Sequence, residues 1–129
     1  MSPSGNDANT GTQARPFQTL EHARDAVRRL KQTSGVPPGG VSVFLRAGRY
    51  ELAGSFTLTV EDSGREGSPI RYLAWGNERV TIGGGRAVTN FGPLTDAEAL
   101  RRISPMYHTY SRQADLRALG ITDFGKITP

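Results

Sequence analysis

The chain reads as a mainly β protein with one amphipathic helix near its start. Three features predict this. From Leu20 to Leu30 the apolar residues recur in steps of three and four, the period of a helix face. After Gly39-Gly40 the period changes to two, in short runs divided by turn residues. The gaps between those runs are too short for crossover helices, which argues against a doubly wound sheet.

The elements follow in order. Residues 1–16 form a loop rich in Ser, Asn, Asp, Gly and Thr, whose side chains and backbone freedom build turns. Leu20, Ala23, Ala26, Val27 and Leu30 make the apolar stripe of a helix over residues 19–33. Thr19 is its N-cap, Glu21 suits the positive end of the helix dipole, and Arg28, Arg29 and Lys31 suit the negative end. Gly35 and Pro37-Pro38 stop it. Strands are expected at 41–46, 55–60, 69–75 and 79–82, with Gly48, Glu61-Asp62-Ser63-Gly64 and Gly83-Gly84-Gly85 as stops. Pro69 stands first in its strand, where a missing N–H is tolerated. A second helix is expected over Asp96–Ile103, with Thr95 and Glu98 at capping-box spacing. Asp115–Gly120 reads as one helical turn or a loop. On periodicity alone, meander, sandwich and β-solenoid all stay open. The division expected is an N-terminal loop over 1–16, a helix and strands over 17–94, and a helix and loop section over 95–129.

The charge is +4, from 16 Lys and Arg against 12 Asp and Glu. These basic residues are scattered, with pairs only at Arg28-Arg29 and Arg101-Arg102, and no basic patch interleaved with aromatics appears. Nucleic acid is not an expected partner; mild attraction to an acidic polysaccharide is at least as good a use of such charge, and a scattered solvated surface with no partner is expected ahead of either. There are no cysteines, which excludes disulfides, thiolate nucleophiles and Cys-ligated metals. No apolar run approaches the roughly 18 residues of a membrane span. Met1 leads straight into turn residues, so no signal peptide is read here.

Several groups invite chemistry. Asn6, Asp7 and Asn9 resemble half a calcium loop but lack its glycine spacing and distal Glu, so Asx-turns are the expected use. Glu61, Asp62 and Glu66 cluster, yet glycoside hydrolysis needs two carboxylates roughly 5 to 9 Å apart across a cleft. Neighbours on one turn point apart, and local hydrogen bonds are expected instead. Gly83-x-Gly85 lacks the helix and crossover of a dinucleotide loop. Phe124-Gly-Lys-Ile-Thr128 lacks the upstream glycine of a phosphate loop. His22 and His108 have no nucleophile elbow beside them. Trp75, Tyr107, His108 and Tyr110 could stack on sugar rings, but core or scattered surface positions are the default. No catalytic, cofactor or metal residue is assigned.

The order of motifs resembles a known family. Ser2-Pro-Ser-Gly-Asn-Asp-Ala-Asn-Thr-Gly-Thr12 and Arg15-Pro-Phe-Gln-Thr-Leu-Glu-His-Ala-Arg-Asp-Ala-Val27 look like the opening of bacterial right-handed parallel β-helix proteins of the pectin-lyase-like kind. Leu45-Arg-Ala-Gly-Arg-Tyr50, Gly67-Ser-Pro-Ile-Arg-Tyr72, Ile82-Gly-Gly-Gly85 and Gly120-Ile-Thr-Asp-Phe-Gly125 continue the likeness in order. The resemblance implies the start of a right-handed parallel β-helix with an N-terminal capping helix. It implies a glycoside hydrolase type of protein, secreted or periplasmic, whose partner is a polysaccharide or oligosaccharide. Relatives carry a short strand before Ser-Pro, where Met1 stands here, and run on for several hundred residues. A fragment without the catalytic residues is therefore expected, with no cofactor implied. A non-catalytic polysaccharide-binding or adhesin-type module is the alternative.

Overall fold

The structure is a computed structural model and describes residues 1–123. Two compact units follow one another along the chain, Met1–Gly85 and Arg86–Pro129. The phosphate-loop-like stretch 124–128 lies outside the described residues.

In the first unit, helix α1 spans Leu20–Ser34. The Thr19 hydroxyl accepts the His22 N–H at 3.2 Å, which satisfies one orphan donor of the first turn. Gly35, at φ 73°, ends the helix with its N–H on the Lys31 carbonyl at 3.1 Å. Leu20, Ala23 and Val27 are buried, while Leu30 is 39% exposed at the border of the stripe.

Four short strands complete this unit: β1 (Val41–Leu45), β2 (Gly48–Glu51), β3 (Ile70–Ala74) and β4 (Val80–Gly83). β1 pairs with β3 in parallel, Val41 opposite Ile70 and Leu45 opposite Ala74. β2 pairs with β4, also in parallel, Gly48 opposite Val80 and Glu51 opposite Gly83. The chain thus lays one pass of two strands and then a second pass beside it. The link from β1–β2 to β3–β4 contains no α-helix, only the 3-10 turn Val60–Asp62. At Gly40, φ 88°, a Cβ would lie 1.9 Å from the Pro69 carbonyl oxygen, so the approach of the two passes there needs glycine.

The core joins the helix to the sheets. Met1, Leu20, Ala23, Leu45 and Tyr50 form its buried cluster, with Phe17, Val43, Leu52, Phe56, Tyr72 and Val80 packed against it. The alternation of strand side chains puts Leu45 and Tyr50 on the inner side of adjoining strands.

Two expectations need correction. Residues 55–60 are not a strand: Leu58 is 50% and Val60 84% exposed. Thr59 caps the 3-10 turn, accepting the Glu61 N–H, while the Asp62 carboxylate accepts the Thr59 N–H at 2.7 Å. These local side-chain bonds compete with a ladder and win, because no core face awaits Leu58 or Val60. The second strand is instead β2, which begins at Gly48, where a stop was expected. Gly48 sits at φ 133°, with a would-be Cβ 2.7 Å from the Pro3 ring, so only glycine starts a strand there.

The second unit holds β5 (Gly92–Pro93) antiparallel to β6 (Arg112–Gln113), helix α2 (Ala97–Arg101) and the 3-10 turn Pro105–Tyr107. α2 is shorter than expected and is capped by Asp96, not Thr95. The Asp96 carboxylate accepts the Ala99 N–H at 2.7 Å. Thr95 accepts from the Gln113 side chain at 3.1 Å, and Glu98 pairs with Arg102. Asp115 forms an Asx-turn, accepting the N–H groups of Arg117 and Ala118. The described residues therefore form a mixed helix and sheet architecture with small sheets and no closed barrel, rather than a mainly β one.

The core assignment makes a graded prediction. Leu45→Ala, at a position 2% exposed, should lose about 2–5 kcal/mol of unfolding free energy. Leu58→Ala should lose less than about 1 kcal/mol, being half in water already. Urea unfolding followed by far-UV circular dichroism measures both; equal losses would contradict the assigned core.

Candidate functional site

The first unit carries an apolar groove of about 280 Å³ between α1 and β1. Ala26, Val27 and Leu30 line its helix side, and Val41, Val43 and Phe44 its strand side. Phe44 and Trp75 meet at the rim in an edge-to-face pair, centroids 5.0 Å apart, which places one aromatic face beside the opening. Arg46, also at the rim, donates its Nε to both Glu78 oxygens, at 2.9 and 3.0 Å. Arg46 first, with the Ala47 N–H adding, holds the Glu78 carboxyl below its ordinary value. The lining offers apolar contact, ring stacking and one paired guanidinium. It offers no nucleophile beside a base.

A second constellation ties α1 to the 59–63 loop. Arg28 forms a two-pronged bond to Asp62, Nε to Oδ1 at 2.7 Å and the terminal nitrogen to Oδ2 at 2.6 Å. Lys31 donates to the carbonyls of Glu61 and Ser63 at 2.9 and 2.8 Å, and Arg24 to that of Thr57 at 3.0 Å. The Asp62 side chain is 5% exposed. Its bond from Arg28, helped by the Thr59 N–H against the opposing effect of burial, lowers its pKa to about 2. Glu61 lies 3.7 Å from the same guanidinium. Glu61 and Asp62 therefore share one cation as a clasp on the helix; that is not the arrangement of an acid facing a base across a cleft. Glu66 is exposed beyond it.

The N-terminal loop is organised by its own side chains. Asp7 accepts three bonds, from the N–H groups of Gln18 and Thr19 at 2.8 and 2.9 Å and from the Thr19 hydroxyl at 2.6 Å. Burial raises its pKa, but the bonds from Thr19 and Gln18 outweigh this and hold it below the ordinary value. Asn6 makes an Asx-turn to Ala8, and the Asn9 amide donates to the Pro16 carbonyl. The three side chains thus point to separate backbone partners. Gly83 belongs to β4, and its carbonyl accepts the Leu52 N–H at 2.9 Å, so the Gly83–Gly85 run is strand backbone and its exit. His22 stacks obliquely on Phe17 at 4.7 Å. His108, in the second unit, contacts the carbonyls of Leu100 and Ile103, both at 3.0 Å. Tyr107 and Tyr110 are exposed in that unit and Trp75 in the first.

Two features escaped the sequence reading. In sequence Arg28 suits the helix dipole and Asp62 a turn; the Thr59-x-x-Asp62 spacing signals a cap, though nothing local signals its partner on α1. Met1 carries no local core signal, yet the residue is 9% exposed and its carbonyl accepts the Arg46 N–H at 3.0 Å.

The groove and the paired parallel strands define a fold with a solved counterpart. A solved structure described as a glycoside hydrolase matches 73% of the chain with a TM-score of 0.67 and 31% identity, and the match takes up 16% of that chain. Over 84 residues, 65% of its length, the chain is 37% identical to the uncharacterized protein YwoF of Bacillus subtilis (strain 168), covering 15% of that protein. No protein-family model matches the chain. It thus spans about a sixth of the length of either relative.

The clasp has a pH signature. The folded pKa of Asp62, about 2, lies below its ordinary 3.8. As pH falls the unfolded state takes up the proton first, so the contribution is complete above about pH 4 and is lost toward pH 2. Asp62→Asn should lower Tm at pH 7, and the gap to the parent should close between pH 4 and pH 2. A gap independent of pH would contradict the ion pair as its origin.

Proposed function

We propose that the chain is the helix-capped beginning of a right-handed parallel β-helix in an exported, carbohydrate-processing protein of the glycoside hydrolase type. The observation that carries this reading is the pair of parallel ladders, β1–β3 and β2–β4, formed by two successive passes without a crossover α-helix. Parallel strands joined in this way stack as coils, and terminal coils need a cover over their apolar layer. The buried stripe of α1 against Leu45 and Tyr50 fits such a cover. The match to a structure described as a glycoside hydrolase supports the carbohydrate-related part of this reading.

Within this reading the chain is scaffold. Asp7, Asp25, Asp62 and Glu78 are committed to backbone donors or arginines. The acid and base of glycoside cleavage would come from coils further along. The Phe44–Trp75 rim and the net charge of +4 suit weak contact with a sugar ring or an acidic polysaccharide.

The test is a reducing-sugar assay on the purified 129-residue chain and on the same protein extended by its genomic sequence past Pro129. The extended protein should release sugar from at least one plant or bacterial polysaccharide, while the short chain stays at the buffer rate. Turnover by the short chain that disappears in Asp62→Ala or Glu66→Ala would contradict the scaffold role. Polysaccharide binding by the extended protein without any turnover would support a binding module in place of an enzyme.

A further inference from the structure

The last turn of α1 and the loop that follows the 3-10 turn Val60–Asp62 enclose a cleft of about 330 Å³. Lys31, Gly35 and Val36 line it from the helix end, and Ser63, Gly64 and Arg65 from the loop. The charged side chains of the lining are one ammonium and one guanidinium, with no carboxylate.

Both sides of the cleft are held. The Ser63 N–H donates to the Val60 carbonyl at 3.2 Å, and Lys31 Nζ ties the Glu61 and Ser63 carbonyls to the helix. Arg65 and Ser68 exchange backbone bonds of 3.2 and 2.9 Å around a tight turn. A Cβ at Gly64 would lie 2.7 Å from the Pro69 Cα, so the loop passes that backbone where only glycine fits.

The two cations have no counter-ion. Lys31 uses two of its three donors on carbonyls, which are dipoles without net charge. The Arg65 side chain is exposed and makes no hydrogen bond or ion pair among the described residues. The neighbouring acids are engaged elsewhere or face away. Asp62 and Glu61 stand 2.6 and 3.7 Å from the Arg28 guanidinium, and Glu66 is exposed outside the lining. The negative end of α1 opposes an anion, but its carbonyls are partly covered. The Thr33 hydroxyl donates to those of Arg29 and Leu30, and the Gly35 N–H to that of Lys31. The Ser63 hydroxyl and the Gly64 N–H, both without an acceptor among the described residues, add neutral donors beside the two charges.

We propose that this cleft binds a sulfate or phosphate group carried on a saccharide, with Lys31 and Arg65 as its charged partners. Charge-assisted bonds from an ammonium and a guanidinium suit an oxyanion. A tetrahedral group offers its oxygens in several directions, which suits donors arriving from two separate segments. The oxyanion part stands on the charge of the cleft; the saccharide part rests on the carbohydrate-processing reading above.

The experiment follows the Lys31, Gly64 and Arg65 amides of the 129-residue chain by NMR. Sodium sulfate, sodium phosphate, a sulfated disaccharide and its unsulfated counterpart are added in turn, with ionic strength held constant by sodium chloride. Sulfate and phosphate should shift these amides saturably, the sulfated disaccharide should do so at lower concentration, and the unsulfated one should not. Arg65→Gln should weaken binding roughly threefold or more, and Arg65→Lys should keep most of it. Because the Arg65 side chain bonds to nothing in the fold, the remaining amides should keep their parent positions. Arg29→Gln removes an exposed charge outside the cleft and should leave the affinity nearly unchanged. No saturable shift with sulfate or phosphate would overturn the site, and so would equal weakening by Arg65→Gln and Arg29→Gln, which marks a diffuse field. Equal affinity for inorganic sulfate and the sulfated disaccharide would overturn the saccharide assignment. That outcome is distinct from failure of the enzyme reading, which the turnover of the extended protein decides.

Discussion

Parallel pairing is the constraint on which this structure depends. An antiparallel strand finds its partner across a turn, but a parallel one must wait for the chain to travel and return in the same direction. β1 waits for β3 and β2 for β4, so neither pass holds its strands before the second is in place. Three features serve that return. The Thr59-capped turn reverses the path, the Arg28–Asp62 bond fixes it to α1, and Gly40 lets the second pass come within contact of the first.

The same constraint explains the placing of the helix. Two strands per sheet give little apolar area to bury against each other, and strands of four or five residues are marginal alone. Leu20 and Ala23 of α1 supply the missing surface to Leu45 and Tyr50. The polar side of the helix is used as well: Arg24, Arg28 and Lys31 reach the 57–63 loop from one face. One helix therefore supports the sheets by apolar packing and the connecting loop by charge.

Legibility in the sequence followed the range of the interactions. α1 was readable almost to the residue, because its stripe, Thr19 cap and Gly35 stop are all local. β1, β3 and β4 were readable from alternation. The 55–60 run alternates at Phe56, Leu58 and Val60 as a strand does, but the Thr59–Asp62 cap turns the chain there, and Arg28, far away along the chain, ties that turn to α1. β2 was missed because Gly48 looks like a stop until Pro3 is seen against it. At α2 the capping-box spacing points to Thr95, but the Gln113 side chain, arriving from β6, engages the Thr95 hydroxyl and Asp96 takes the cap. The groove was not legible at all, since its walls come from α1 and β1 and its floor from Met1.

The most direct test of the account is the direction of the β1–β3 pairing. The chain has no cysteine, so introduced pairs report without background. Parallel register puts Ser42 beside Arg71 and Phe44 beside Leu73, within reach of a disulfide, whose Cα atoms stand about 4.4–6.8 Å apart. Double cysteine variants at 42 and 71, and at 44 and 73, should oxidise to intramolecular disulfides that keep the parent's circular dichroism. Efficient closure of the crossed pairs, 42 with 73 and 44 with 71, and failure of the parallel ones, would contradict the account.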